Sequence, residues 1–146
     1  MVNNIIDGIS LKLNQVFGDG YEIYGDADIV QGLKEPCFFI AVLNPSYKRL
    51  LGQRFQVENP FVIQFFPKKA RDNTELHNIA FELFTALELI TLPNGDLLHG
   101  TSMEHEIVDG VLNFKVNYNM ILNKIEVAEL MEKLKYEGIL NEYKED

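Results

Sequence analysis

The 146-residue chain carries 13 Lys and Arg against 22 Asp and Glu, a formal net charge of −9, which argues against general nucleic-acid binding because phosphate contacts need clustered cations. Its 47% hydrophobic and 24% charged residues indicate a globular domain rather than a disordered chain. The single cysteine, Cys37, excludes an intramolecular disulfide and a cysteine-rich zinc site and is predicted to be a core residue. No stretch approaches the ~20 apolar residues of a membrane span, so we expect a soluble protein of cytoplasmic origin without membrane contacts.

The first half of the chain predicts one helix followed by strands. Apolar residues recur at helical spacing over 4–17, and Gly18 is placed to end that helix. A short strand is expected at 21–24 and a loop at 25–35. Three sequential antiparallel strands are then predicted, one over CFFIAVLN after Pro36 and two over 47–57 and 60–66, separated by Glu58-Asn59-Pro60.

The second helix has the most regular apolar stripe in the chain. Asp72 followed by Glu75 resembles a capping box at its start, and Pro93-Asn94-Gly95 is expected to stop it. The apolar positions recur every three or four residues and are predicted to face a core. They are Leu76, Ile79, Ala80, Leu83, Phe84, Leu87 and Ile90.

A β-hairpin is predicted around Asp109-Gly110, since a two-residue Asp-Gly link between alternating segments favours a type I′ turn. With these two residues as the turn, one face of the hairpin is apolar and the other polar. The predicted pairs on the apolar face are Ile107 with Leu112, His105 with Phe114, and Met103 with Val116. Those on the polar face are Glu106 with Asn113 and Glu104 with Lys115, and Asn117 extends that face.

After the hairpin, Val127, Leu130, Met131 and Leu134 stand at the spacing of a short amphipathic helix. The predicted fold class is therefore α+β, a mainly antiparallel β-sheet with two amphipathic helices packed on one face, plus a short C-terminal helix. We expect a single α+β domain over residues 1–125, followed by the C-terminal amphipathic helix and a frayed tail over 126–146.

The charge is distributed unevenly along the chain. Residues 48–71 contain one acid, Glu58, and six of the 13 basic residues, which gives +5 there and −14 elsewhere. The six are Lys48, Arg49, Arg54, Lys68, Lys69 and Arg71. Such a run is often simply a solvated surface, but it also suits a head-to-tail contact between copies that closes into a ring.

Candidate catalytic or metal-binding residues are His99, His105, Glu104 and Glu106 in one strand region. The two histidines share a face by parity but lie about 20 Å apart along an extended strand, and the glutamates belong to the face opposite His105. His77 has no carboxylate one helical turn beyond it. We therefore expect no catalytic site, no metal site and no cofactor.

Four runs of sequence resemble a known protein family. QGLKEPCFFI (31–40), LNPSYKRLLGQRF (43–55), NPFVIQFFP (59–67) and HEIVDGVLNFKVNY (105–118) together are similar to tail terminator proteins of tailed phages and prophages of Gram-positive bacteria. The resemblance covers about residues 3–122 and leaves the terminal helix outside.

The resemblance implies a non-enzymatic virion protein, assembled in the host cytoplasm, that forms a ring, usually a hexamer, on the end of the tail tube. Such a ring stops tube polymerisation and docks the head connector, and DNA passes through it without specific binding. The implied partners are further copies of the chain, the tail tube protein and the head-tail connector protein. The alternatives are another neck or head-closure component and, less readily, a small-ligand-binding or enzymatic α+β domain.

Three surfaces are candidates for subunit or tube contacts in such a ring. The first comprises the six basic residues of 48–71, and the second the polar hairpin face with Glu104, Glu106 and Lys115. The third is the apolar stripe of the terminal helix with Leu130, Met131 and Leu134, which could instead pack on its own domain.

Overall fold

A computed structural model describes residues 1–25, 34–68, 73–123 and 131–132. Within these ranges it contains two helices and seven strands. They are α1 (Val2–Phe17), β1 (Glu22–Gly25), β2 (Cys37–Val42), β3 (Ser46–Arg49), β4 (Arg54–Phe66), α2 (Asn73–Leu87), β5 (Leu89–Thr91), β6 (Leu97–Val108) and β7 (Val111–Asn123). The predicted α+β class, with a mainly antiparallel sheet and two helices, is confirmed.

The chain divides into two compact units. The first comprises Met1–Pro45 and Glu58–Asn119, and the second Ser46–Val57 and Met120–Asp146. The predicted division at residue 125 stays a prediction, because the C-terminal segment, including the expected helix from 126 onward, lies outside the described residues except for 131 and 132.

The sheet has the strand order β1-β2-β4-β7-β6-β5, and β3 pairs with β4. Strands β1 and β2 run parallel, whereas β2 with β4, β6 with β7, and β5 with β6 are antiparallel. Helices α1 and α2 contact each other and pack on the sheet. Alternate residues of β7 are fully or almost fully buried, namely Leu112, Phe114, Val116 and Tyr118, which identifies the face of the sheet that carries the core.

The core of the first unit joins α1 to the centre of the sheet. Ile5, Ile9 and Leu13 recur at spacings of four along α1 and are completely buried, because that spacing keeps side chains on one helix face. An aromatic cluster continues this core, in which the Phe38 and Phe65 ring centroids lie 5.0 Å apart.

The Asp109-Gly110 turn forms as predicted. Both residues have positive φ, 50° and 75°, which is the type I′ geometry. The pairs Ile107 with Leu112, His105 with Phe114, Glu106 with Asn113, and Glu104 with Lys115 are all observed. The hairpin register is therefore confirmed from the turn as far as Glu104.

Beyond Glu104 the predicted register is wrong. A β-bulge shifts the pairing between Thr101 and Glu104, and Ser102 within it has a φ of 52°, so Met103 and Val116 are not an aligned pair. The extra residue reverses the alternation. As a result Gly100, which pairs with Tyr118, lies on the face of the strand where regular alternation had predicted His99.

Gly100 is required where β6 passes beneath the end of α2. A Cβ at this position would lie 2.6 Å from the Leu87 carbonyl oxygen and 2.8 Å from the Val116 side chain. The Gly100 amide donates to the Glu88 carbonyl at 2.8 Å, and the Tyr118 hydroxyl donates to the Leu87 carbonyl at 2.7 Å. These contacts join the carboxyl end of α2 to the sheet.

The predicted strands over 47–57 and 60–66 are also different in the structure. The chain turns earlier, after β3, and β4 then runs without interruption through Glu58-Asn59-Pro60. The carbonyl of Pro60 still accepts from the Leu43 amide at 2.8 Å, and next to it the Asn59 side chain donates to the Tyr118 carbonyl of β7 at 3.2 Å. A side-chain donor thus stands beside the residue that has no amide hydrogen.

Helix α2 ends at Leu87, earlier than predicted, and Ile90 lies in β5 instead of extending the helix. Phe84, which was predicted to face the core, is 46% exposed, so the stripe is narrower than its periodicity indicated. The expected cap residue Asp72 lies outside the described residues.

Candidate functional site

The histidines do not form the arrangement considered from the sequence. His105 contacts His77 of α2, with Nδ1 of His77 3.1 Å from Nε2 of His105, whereas His99 pairs along β5 with Leu89. In this contact the nitrogen of one ring donates and that of the other accepts, and the tautomers decide which ring is the donor. No sequence pattern predicts this pair, because the two residues are 28 positions apart.

Among the described residues no group of three or more His, Cys, Asp or Glu is placed to hold a metal ion. In the described part of the chain, the two groups whose pKa is shifted, Cys37 and Tyr118, both belong to the core. Burial raises the pKa of the Tyr118 hydroxyl. Burial, followed by the nearby carboxylates of Glu35 and Glu22, raises the pKa of the Cys37 thiol, so this cysteine lacks the thiolate character of a nucleophile.

An open groove lies between α2 and the β6-β7 hairpin, with a volume of about 270 Å³. Its lining is mostly apolar and includes two phenylalanines of α2, Phe81 at 68% and Phe84 at 46% exposure. The other lining residues are His77, Ala80, Met103, Glu104, His105 and Phe114. We call this the α2-β6 groove. Exposed aromatic side chains side by side are typical of a protein-protein contact.

The elements that frame the α2-β6 groove are acidic. Glu75 and Glu82 lie on α2 and Glu104 and Glu106 on β6, all four exposed, while neither element contains a Lys or Arg. Lys115 on β7 lies 3.8 Å from Glu104 and offsets part of this charge. Of the four glutamates, Glu104 is the one that lines the groove itself.

The polar face predicted for the hairpin is present. Besides the pair of Glu104 and Lys115, the Gln64 amide of β4 donates to the Asn113 side-chain oxygen at 2.8 Å. A small recess of about 110 Å³ lies here, lined by Glu104, His105, Glu106, Asn113 and Lys115. Glu104, His105 and Glu106 in this recess are exposed.

The basic residues of 48–57 form a separate surface in the second unit. We call β3, the start of β4 and the turn between them the basic hairpin (46–57). It presents Lys48, Arg49 and Arg54, all exposed, and contains no acid. Its turn is closed by the Leu50 amide, which donates to the Arg54 carbonyl at 2.9 Å.

The tip of the basic hairpin is apolar. Leu51 is 95% exposed and precedes Gly52, whose φ of 74° fits the tight turn. The interface residues predicted in this segment were chosen for their charge, and Leu51 was not among them. The signal was nonetheless visible, because Leu50-Leu51 interrupts a polar run, KRLLGQR, at a position where no strand alternation accounts for it.

Of the remaining predicted interface residues, two are exposed and the others lie outside the described part of the chain. Lys68 is exposed at the end of the described segment that follows β4, while Lys69 and Arg71 lie outside the described residues. In the terminal helix Leu130 and Leu134 are likewise outside them, and Met131 is 56% exposed.

Comparison with known families gives the context for these surfaces. Residues 4–129 match the family described as phage tail terminator protein. The chain belongs to the phage tail terminator family. This terminator is therefore a structural component of a phage tail, as the four sequence runs implied.

No curated protein matches the terminator chain. Among solved structures, one similar chain belongs to "Virion of native gene transfer agent (GTA) particle", with 12% identity and a TM-score of 0.47. The alignment covers 83% of the terminator and 96% of the other chain. Within the described part of the terminator, no helix is both long and apolar enough to cross a membrane.

Proposed function

We propose that this protein assembles as a ring of identical copies on the end of the completed tail tube, where it ends tube polymerisation and offers the surface on which the head connector docks. Membership of the tail terminator family supports the place of action. The observation that carries self-association is the basic hairpin, a cationic surface on a chain whose net charge is −9.

The charges favour contacts between unlike surfaces. The basic hairpin has three cations and no acid, whereas α2 and β6 have four glutamates and no Lys or Arg. Such complementarity steers association and fixes orientation more than it adds affinity. A contact between two different surfaces of identical copies generates a ring when the rotation closes, and we propose six copies.

Two further surfaces complete the proposal. We assign the polar face with Glu104, Glu106 and Lys115 to a contact with a neighbouring copy or with the tube. Lys68, Lys69 and Arg71 are assigned to the same class of contact. DNA passes through the ring without sequence-specific contacts.

The terminal segment offers a separate test. If the stripe with Leu130, Met131 and Leu134 docks on an adjacent copy, deletion of residues 126–146 abolishes assembly and leaves a cooperatively folded monomer. If the stripe packs on its own domain, the same deletion removes folding cooperativity. Thermal unfolding followed by circular dichroism, together with the mass in solution, distinguishes the two results.

The ring itself is tested by mass and by imaging. Light scattering after size-exclusion chromatography is expected to give six copies of the 16.8 kDa chain, about 101 kDa, and negative-stain images of protein added to isolated tails are expected to show capped ends. A monomer that leaves tails uncapped contradicts the proposal.

Charge reversal then tests the role of the basic hairpin. Lys48→Glu, Arg49→Glu and Arg54→Glu together are expected to shift the protein to monomers at moderate salt. Lys12→Glu with Lys34→Glu also adds negative charge, but in the first unit and not in the basic hairpin, and should leave the ring intact. An unchanged ring that caps tails but impairs genome passage would instead place the hairpin towards the DNA in the lumen.

A further inference from the structure

We propose that the apolar tip of the basic hairpin of one copy inserts into the α2-β6 groove of the next copy. This inference rests on the proposed ring and specifies its interface. The structure shows both halves of the contact, an exposed leucine on a protruding turn and an exposed aromatic groove.

The tip and the groove match in size and chemistry. Leu51 exposes 95% of its surface to water, and the groove offers about 270 Å³ lined by Phe81, Phe84, Met103 and Phe114 among others. Insertion would remove the leucine and both exposed phenylalanines from water at once. A buried apolar anchor of this kind commonly dominates the affinity of an interface.

The charges around the tip and the groove are complementary. Arg49 and Arg54 flank the tip, and Lys48 lies one residue further along β3. On the other side, Glu104 lines the groove, and Glu82 is an exposed residue of the helix that carries Phe81 and Phe84. Cations beside the leucine would therefore approach the Glu104 carboxylate at the groove and the acidic surface of α2, which gives the apolar centre and polar rim of a typical interface.

The same charges exclude the symmetric alternatives. Two groove surfaces placed face to face would oppose like carboxylates, and two hairpins placed together would oppose like cations, both of which are unfavourable. The contact is thus head to tail. Every copy then donates one tip and accepts one, so a closed ring leaves neither surface unpartnered.

A second copy also fits better than the tail tube as the occupant of the groove. Both surfaces are present on every copy of the chain, and their opposite charges need no outside partner to be matched. If the tube occupied the groove instead, ring formation would not depend on Leu51, and this difference is measurable.

Interchain crosslinking provides a direct test. Chains with Leu51→Cys are mixed with chains with Phe81→Cys and oxidised, and a disulfide-linked dimer is expected, since the natural Cys37 is buried. The matched control mixes Leu51→Cys with Leu11→Cys, because Leu11 is likewise an exposed apolar residue (51%) but lies on α1. Equal dimer yields in the two mixtures would overturn the proposal.

Substitution tests the energetics of the same contact. Leu51→Asp is expected to weaken association by roughly tenfold or more, as expected when a leucine loses its buried site, while Leu11→Asp should not. Arg49→Glu with Arg54→Glu should also weaken assembly, and adding Glu82→Lys with Glu104→Lys to that chain should restore it. Failure of this charge swap to restore assembly contradicts the pairing.

The outcomes separate the interface from the ring. If the natural chain forms no ring, the proposed function fails. If it forms a ring that the Leu51→Asp chain forms equally well, only this interface is wrong. If the Leu51→Asp ring persists but no longer caps tails, the tip contacts the tube and the proposal is overturned. Thermal unfolding of each variant shows whether its monomer is folded.

Discussion

Tyr118 provides the strongest test of how α2 is held on the sheet. The residue is completely buried, and its hydroxyl donates to the Leu87 carbonyl at 2.7 Å. Leu87 is the last residue of α2, so its carbonyl has no partner within the helix. Tyr118→Phe keeps the ring in place and removes only the hydroxyl.

The expected cost follows from the carbonyl that is left behind. A buried group without its partner costs about 1–3 kcal/mol. For a chain of this length each kcal/mol lowers Tm by about 2–4 °C, which predicts a decrease of roughly 2–12 °C at pH 7. Tyr47→Phe is the control, because Tyr47 is 70% exposed and its substitution should leave Tm unchanged.

The pH dependence gives a second, independent measurement. Burial raises the pKa of Tyr118 in the folded protein, whereas an unfolded tyrosine titrates near pH ~10. Above that pH the unfolded chain releases a proton that the folded chain keeps. The contribution of Tyr118 to stability is therefore complete below pH ~10. Above that pH the free energy of unfolding decreases by up to ~1.4 kcal/mol per pH unit.

Urea unfolding of the natural chain and Tyr118→Phe, followed by circular dichroism between pH 7 and pH 11, measures both effects. Other tyrosines and lysines titrate in both proteins, so the difference between the two curves isolates Tyr118. The advantage of the natural chain should shrink above pH ~10. A constant difference across this range, or equal stability at pH 7, would refute the reasoning.

Three further expectations concern stability and reactivity. Gly100→Ala should lower the free energy of unfolding by about 2 kcal/mol or more, because its Cβ would meet backbone, whereas Gly20→Ala, with no atom within 4 Å of its added Cβ, should be neutral in the same urea titration. Cys37 should react with a thiol reagent only on unfolding, since it is buried, and rapid labelling of the native protein would contradict its core position. Glu104→Gln should change the stability of the monomer by less than ~1 kcal/mol. Its 3.8 Å contact with Lys115 joins two side chains that are 72% and 44% exposed. A larger loss of stability in thermal unfolding would show that this ion pair is needed for the fold.

The parts of the fold predicted correctly are those where two independent local signals agree. The Asp109-Gly110 turn chemistry and the alternation around it specify the same register, and the observed pairs Ile107 with Leu112 and Glu104 with Lys115 follow it. Helix α1 is similar, since its apolar spacing and Gly18 indicate the same end, and the helix stops at Phe17.

The errors arise where a contact distant in sequence decides the local structure. Pro60 looked like a strand break, but Asn59 and Leu43 satisfy the backbone around it within β4. The β-bulge near Ser102 has no strong local signature. Its effect is to place Gly100 under α2, and that requirement becomes visible only when the helix and sheet are together.

The candidate interface shows a different difficulty, because hydrophobic periodicity measures which residues are apolar and not what covers them. Phe84 follows the core stripe of α2 and is nevertheless half exposed, while Phe81 lies beside the stripe and is more exposed still. In a chain that acts alone, the exposure of these phenylalanine side chains to water would be energetically unfavourable. On a surface that meets another copy, they and Leu51 are the side chains expected to become buried, and the exposed apolar residues therefore locate the proposed interface more sharply than the charges do.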